Sequence, residues 1–219
     1  MSVSNDALSQ LAERETLMPA FFAGATILFQ GDSITDGNRG RNLDPNHILG
    51  HGYAFIISAR FGARFPERAL TFYNRGVSGN KVTDLQARWT TDTLDLKPDY
   101  LSILIGINDT GSGVDVFEES YDALLTETVQ SLPQTRLILC APFRLPGNED
   151  IQARQVIVAW LAEKHHAAFV NFQPIFDEAS EHAPAKYWVW DGVHPTYAGH
   201  QLMADEWVRV VDAYWTNGK

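Results

Sequence analysis

Residues 27–37 read ILFQGDSITDG, an apolar run that breaks into glycine, aspartate and serine. Residues 190–200 read WDGVHPTYAGH, an aromatic start that ends in small and polar groups. Each reads as an ordered element delivering polar side chains to a loop. Short runs of the first kind recur at 26–30 (TILFQ), 71–74 (TFYN), 100–105 (YLSILI), 136–140 (RLILC) and 168–171 (AFVN). They have the length of buried strands, and their mostly continuous apolar character suits a parallel sheet covered on both faces. Amphipathic stretches over 52–65, 83–94, 116–132 and 149–165 lie between them, and another over 197–215 closes the chain. The alternation predicts an α/β fold with a doubly wound parallel sheet of about five strands.

At 219 residues and 45% apolar composition the chain can bury one full core, so a single domain over 1–219 is expected. Residues 1–22 are expected to form a helical extension laid against it. No Pro/Gly/Ser-rich linker, internal repeat or low-complexity tract divides the chain. The formal charge of −10 disfavours a surface that tracks phosphates, so no nucleic-acid partner is expected. The start, MSVSNDALSQLAERETLMP, lacks a basic segment followed by an apolar one, and no run approaches the roughly 20 apolar residues of a membrane span. The expectation is a soluble, cytoplasmic protein with no membrane partner. The single Cys140 excludes an intramolecular disulfide and a multi-cysteine zinc site.

In open parallel sheets the ligand crevice lies outside the carboxyl ends of the strands. Three of the runs end there in glycine and small hydrogen-bonding residues: Gly31-Asp32-Ser33, Gly76-Val77-Ser78-Gly79-Asn80 and Gly106-Ile107-Asn108-Asp109. A serine hydroxyl is a weak nucleophile until an oriented base takes its proton. Asp191 and His194 stand three positions apart just before the last predicted helix, a spacing at which one turn of chain folds the carboxylate onto the imidazole. Ser33, His194 and Asp191 are therefore the candidate catalytic residues. A tetrahedral intermediate also needs donors for its oxyanion. The candidates are the N–H groups of Ser33 and Gly79 and the side-chain amide of Asn108.

The blocks GDSITDG, NRGVSGN, GINDT and DGVHPT resemble, in order and spacing, those of the GDSL or SGNH hydrolase superfamily, whose invariant Ser, Gly, Asn and His map onto Ser33, Gly79, Asn108 and His194. Asp191 completes the triad. The resemblance implies a flavodoxin-like three-layer αβα sandwich and a serine esterase that works through an acyl-enzyme without cofactor. Ile34 stands where the family name has Leu, a conservative change, and the G-x-S-x-G elbow of α/β-hydrolases is absent. NRGVSGN, ARW, KPDYLSILIGINDT, APF and WDGVHPTYAGH together most resemble the intracellular acetylxylan-esterase-like branch. That resemblance implies short acyl, chiefly acetyl, esters of carbohydrates such as acetylated xylo-oligosaccharides as substrates, and it alone carries the expectation of a homo-oligomer. Alternatives are a thioesterase or lysophospholipase of the same superfamily, and a non-catalytic sugar-binding descendant.

Plainer roles compete for several residues. Ser33 alone would read as a helix cap, and Gly79 and Asn108 as turn residues. Asp32 and Asp109 are expected to brace their loops by Asx-type bonds, and Asp36 to shape a turn rather than bind anything. Trp190 is assigned to substrate binding, with packing under its loop as the alternative. Arg39 and Arg41 read as contacts to substrate or to a second subunit. His165 and His166 suit a helix end on the surface, His200 a structural place, and His47, His51 and His182 loops. No His/Asp spacing argues for a metal. Trp89, Trp160, Trp207 and Trp215 read as core or interface anchors.

Overall fold

The computed structural model describes residues 21–42 and 44–216 of the 219. Residues 1–20 of the expected helical extension lie outside the described residues, and Phe21 and Phe22 at its end are not helical. Phe21 is instead fully buried, its ring packed edge-on against Tyr100 at 4.6 Å.

Five strands form one parallel sheet: β1 (Thr26–Gly31), β2 (Thr71–Asn74), β3 (Tyr100–Leu104), β4 (Arg136–Ala141) and β5 (Ala168–Asn171). Their order is β2-β1-β3-β4-β5. Around them lie α1 (Ser33–Asp36), α2 (Tyr53–Arg64), α3 (Val82–Asp92), α4 (Val114–Ser131), α5 (Glu149–Lys164), α6 (Gln173–His182), α7 (Ala185–Trp188) and α8 (Tyr197–Thr216). The expected strands all form. The expected helices form with ends shifted by at most two residues, and α1, α6 and α7 are additional. α1 and α7 are single turns of four residues, too short to leave a periodic signal, whereas α6 is a ten-residue amphipathic helix with Phe176 and Ala179 buried that the apolar runs alone did not mark.

Side chains alternate across the sheet, as the pleat requires. Ile27 and Phe29 share one face with Tyr53 and Ile57 of α2 and Met203 and Trp207 of α8. Leu28 belongs to the opposite face with Trp89 of α3, Tyr121 of α4 and Leu161 of α5. The result is three layers, helices on both sides of a sheet whose central strand β3 is buried throughout. Trp89 and Trp207 are thus core anchors as expected, whereas Trp160 is 46% exposed with the Lys164 ammonium over its ring. A hydroxyl inside β3 is costly unless paired; Ser102 Oγ accepts the Trp207 indole N–H at 3.0 Å.

The strand order dictates where a site opens. The chain leaves β1 to one side for β2, then returns past β1 to place β3 on the other. Loops after β1 and β3 therefore diverge and leave a crevice at the carboxyl ends of the strands. Among the described residues no helix is long and apolar enough to cross a membrane.

Candidate active site

Ser33 opens α1 immediately after β1. Asp32 caps that single turn, its Oδ1 accepting the Ile34 N–H at 3.0 Å, and the Gly37 N–H closes the turn onto the Ser33 carbonyl at 3.0 Å. The Ser33 side chain is thereby held on a short rigid element at the rim.

Its partners come from the loop before α8. Val189 and Pro195 form an isolated antiparallel bridge, with Trp190 N–H donating to the His194 carbonyl at 3.0 Å and Thr196 N–H to the Trp188 carbonyl at 2.8 Å. Inside this narrow loop, Asp191 Oδ1 accepts the N–H groups of Val193 at 3.0 Å and His194 at 2.7 Å. Its Oδ2 lies 2.7 Å from His194 Nδ1, and His194 Nε2 lies 2.9 Å from Ser33 Oγ. The three residues expected from the motif spacing thus form one hydrogen-bonded chain. Partial burial alone would raise the Asp191 pKa, but the bonds from His194 and Val193 outweigh it and hold the carboxyl below its usual range. A carboxylate so placed favours the tautomer with the proton on Nδ1, leaving Nε2 to accept a proton from Ser33.

Two neighbouring loops complete the rim. Gly79, at φ +84°, occupies a left-handed turn in which a side chain would be strained. Asn108 Nδ2 donates to the Asn80 carbonyl at 3.0 Å, so the Asn108 amide is oriented by the residue after Gly79. That bond uses one of the two amide protons and leaves a second available. Asn80 is itself gripped by Arg88 Nε at 2.8 Å, whose Nη1 also reaches the Arg75 carbonyl at 2.8 Å. Trp190 is 63% exposed, and its ring lies 6.1 Å from that of His194 with the planes 25° apart. It faces outward beside His194 and does not pack beneath the loop.

Asp32 behaves as expected, but Asp109 does not brace its own loop by an Asx bond. Its Oδ1 accepts the Val82 N–H at 3.1 Å, tying the loop after β3 to the start of α3. Asp36 shapes its turn as expected, its Oδ1 accepting the Arg39 N–H at 3.1 Å, but it is also 2% exposed and takes hydrogen bonds from Arg41 and Ser78. Arg39 Nε donates to the Gly76 carbonyl at 2.9 Å, and Arg41, itself exposed, reaches back to both Asp36 oxygens. Arg154 went unforeseen. Its fully buried guanidinium donates to the carbonyls of Asp109 at 2.6 Å and Ser112 at 3.0 Å, fixing the loop that carries Asn108. Its i,i+4 relation to Asp150 was the one available cue, and that pattern normally marks an exposed pair.

Among the histidines, His200 is structural as expected: Nδ1 accepts the Tyr53 N–H at 3.2 Å. Burial, with smaller repulsion from His194 and His51, pushes its pKa down to about 4. His165 is not a free surface group, since Nε2 lies 2.7 Å from Asp122 Oδ1. Among the described residues no cluster of three or more His, Cys, Asp or Glu is placed to hold a metal ion.

The profile of the GDSL-like lipase/acylhydrolase family matches residues 29–202. The chain is 34% identical over 215 aligned positions to an acetylxylan esterase of Geobacillus stearothermophilus, covering 90% of this chain and 98% of that protein. The crystal structure of an acetylxylan esterase from the same organism superposes with a TM-score of 0.78 at 33% identity, covering 87% of this chain and 95% of that one. An α/β hydrolase enzyme from the metagenome of Lake Arreo, Spain, superposes with a TM-score of 0.83 at 31% identity, covering 89% and 98% of the two chains. The chain therefore belongs to the GDSL-like lipase/acylhydrolase family and is a carboxylic-ester hydrolase of the SGNH type.

Proposed function

We propose that this esterase removes short acyl groups, acetyl above all, from carbohydrates such as acetylated xylo-oligosaccharides, with Ser33 as nucleophile, His194 as base and Asp191 as its orienting partner. The observation that carries the reading is the continuous chain from Ser33 Oγ through His194 to Asp191, with separations of 2.9 and 2.7 Å.

Nε2 of His194 takes the Ser33 proton as Oγ attacks the ester carbonyl, and Asp191 stabilises the imidazolium that forms. The negative oxygen of the tetrahedral intermediate is met by the N–H groups of Ser33 and Gly79 and by Asn108 Nδ2. Collapse breaks the bond to the sugar oxygen, which leaves with the proton from His194, and Ser33 carries the acyl group. Water then gives its proton to His194 and attacks; a second collapse releases the carboxylic acid and returns the proton to Ser33.

The carbohydrate assignment is supported by the similarity to acetylxylan esterases and by aromatic surface at the rim. Trp190 stands exposed beside His194, its ring 6.1 Å from the imidazole. Flat apolar rings with polar groups at their edges suit sugar rings.

The test is hydrolysis of acetylated xylo-oligosaccharide beside 4-nitrophenyl esters from acetate to laurate, for the wild type and Ser33→Ala. Deacetylation of the sugar, preference for the shortest ester and loss of both activities in Ser33→Ala are expected. Preference for long chains without sugar activity would move the substrate class to lipid or thioester. No activity on any ester would favour a sugar-binding role.

A further inference from the structure

Asp36 makes no bond to Ser33, His194 or Asp191 in the chain described above, yet its carboxylate is a hub next to them. Five donors converge on its two oxygens. Oδ2 accepts the Ser78 N–H at 3.0 Å, the Ser78 Oγ–H at 2.8 Å and Arg41 Nη2 at 2.7 Å. Oδ1 accepts Arg41 Nη1 at 3.0 Å and the Arg39 N–H at 3.1 Å. A surface turn does not require a buried carboxylate, and one this buried is costly unless each lone pair is used.

The geometry shows what the hub connects. Asp36 is the last residue of the single turn that begins with Ser33, so the two are separated by one rigid helical repeat. Ser78 immediately precedes Gly79. The turn around Gly79 is further held by the Val77 N–H on the Gly31 carbonyl at 3.0 Å and the Asn80 N–H on the Val77 carbonyl at 3.1 Å. The peptide carrying the Gly79 N–H therefore lies between two peptides whose own N–H directions are fixed, one by Asp36 and one by Val77. Contact between the two segments is close: a Cβ on Gly76 would collide with the Asp36 backbone nitrogen.

We propose that Asp36 is a positioning residue for the oxyanion hole, locking the Ser78–Gly79 turn against the helix that carries Ser33. The inference rests on the reading of Ser33 as nucleophile and Gly79 as oxyanion donor. A preorganised donor contributes only if it already points at the place where charge develops, and Asp36 supplies that fixed direction. Arg41 has a second part in the arrangement. A bare carboxylate beside a developing oxyanion would oppose it, and the bidentate guanidinium cancels that charge.

The role is carried by acceptors alone, which makes the isosteric Asp36→Asn informative. An amide nitrogen in place of either oxygen meets donors head-on, so the turn loses its anchor without loss of volume. Expected for Asp36→Asn is a fall in kcat on 4-nitrophenyl acetate of about 10²-fold with KM nearly unchanged, the signature of an interaction made only in the transition state. A trifluoromethyl ketone, which forms a tetrahedral adduct with the serine, should lose affinity in parallel with kcat. Ser78→Ala, at an exposed position that folding tolerates, should show the same pattern at about 3-fold to 10-fold; it decides the matter if Asp36→Asn does not fold. A lowered melting temperature with kcat and ketone affinity intact, or a KM effect alone, overturns the proposal. Ser33→Ala assayed alongside separates the two levels. Retained activity there removes the nucleophile reading and this inference with it, whereas its loss beside unimpaired Asp36→Asn and Ser78→Ala removes this inference only.

Discussion

Asp191 holds His194 at two points, its Oδ1 on the backbone N–H at 2.7 Å and its Oδ2 facing Nδ1 at 2.7 Å. The double grip makes the ring orientation a property of three consecutive peptide units and not of distant packing. Asp191→Asn would keep an oxygen for the backbone donors but turn an amide N–H toward Nδ1. The imidazole then places its proton on Nε2, where it can no longer act as base toward Ser33. Expected is a fall in kcat of about 10³-fold to 10⁴-fold with folding intact. Steady-state kinetics together with the near-ultraviolet circular dichroism spectrum check it, and near-native kcat would show that His194 is oriented by other groups.

Asn108 isolates the oxyanion contribution, because its side chain touches neither Ser33 nor His194 in the hydrogen-bonded chain that links them. Asn108→Ala should lower kcat by on the order of 10²-fold while KM stays within a few-fold. The same change also removes the donor to the Asn80 carbonyl, which costs about 1 kcal/mol of stability. Thermal melts recorded beside the kinetics distinguish the two effects. A pure KM effect would assign Asn108 to binding the unreacted ester.

The strands and the Asp191–His194 pair were legible because they are written in local pattern, and Ser33, 161 positions from His194, was legible because it follows a strand at the rim where the crevice opens. Each strand is a short apolar run, and DGVHPT places carboxylate and imidazole one turn apart. The hub at Asp36 was not legible. Its partners Ser78 and Arg41 lie 42 and five positions away, and an aspartate before glycine looks the same whether it shapes a turn or receives donors from another loop. Arg154 was hidden for a related reason: burial of a guanidinium depends on carbonyls offered by a loop 42 to 45 residues earlier. The pairing of Asp109 with Val82 is of the same kind. Local motifs reveal the candidate catalytic groups and Asp191, which orients His194 from three positions away, while Asp36 and Arg154 are recruited to their loops through the fold.

Trp190 separates recognition of the sugar from the chemistry. Its exposed ring offers a face to a pyranose but contributes little to the core. Trp190→Ala should raise KM for acetylated xylo-oligosaccharide by about 3-fold to 10-fold, and stability should change by less than about 0.5 kcal/mol. Turnover of 4-nitrophenyl acetate, which has no sugar, should be nearly unaffected. An equal loss on both substrates would mean that Trp190 serves by bracing His194, whose ring it overlies.

Asp32 and His200 bracket the site with opposite responses to pH. Burial raises the Asp32 pKa from 3.8 to about 7, with the Ile34 N–H bond opposing and repulsion from Asp109 adding. Burial lowers that of His200 from 6.5 to about 4. Between about pH 4 and 6.5 the folded chain keeps the Asp32 proton that the unfolded chain has lost, so this group lowers stability as pH rises. Over the same range the unfolded chain holds a His200 proton that the folded chain refuses, so this group raises stability as pH rises. Each slope is about 1.4 kcal/mol per pH unit and the two cancel. Asp32→Asn, which keeps the cap to Ile34, unmasks His200: relative to the wild type its stability should climb by about 3 kcal/mol from about pH 4 to 6.5. His200→Gln unmasks Asp32, and stability relative to the wild type should fall by a similar amount over that window. Urea unfolding midpoints across the range decide it. Parallel curves for both variants and the wild type would mean that neither group changes its proton affinity on folding.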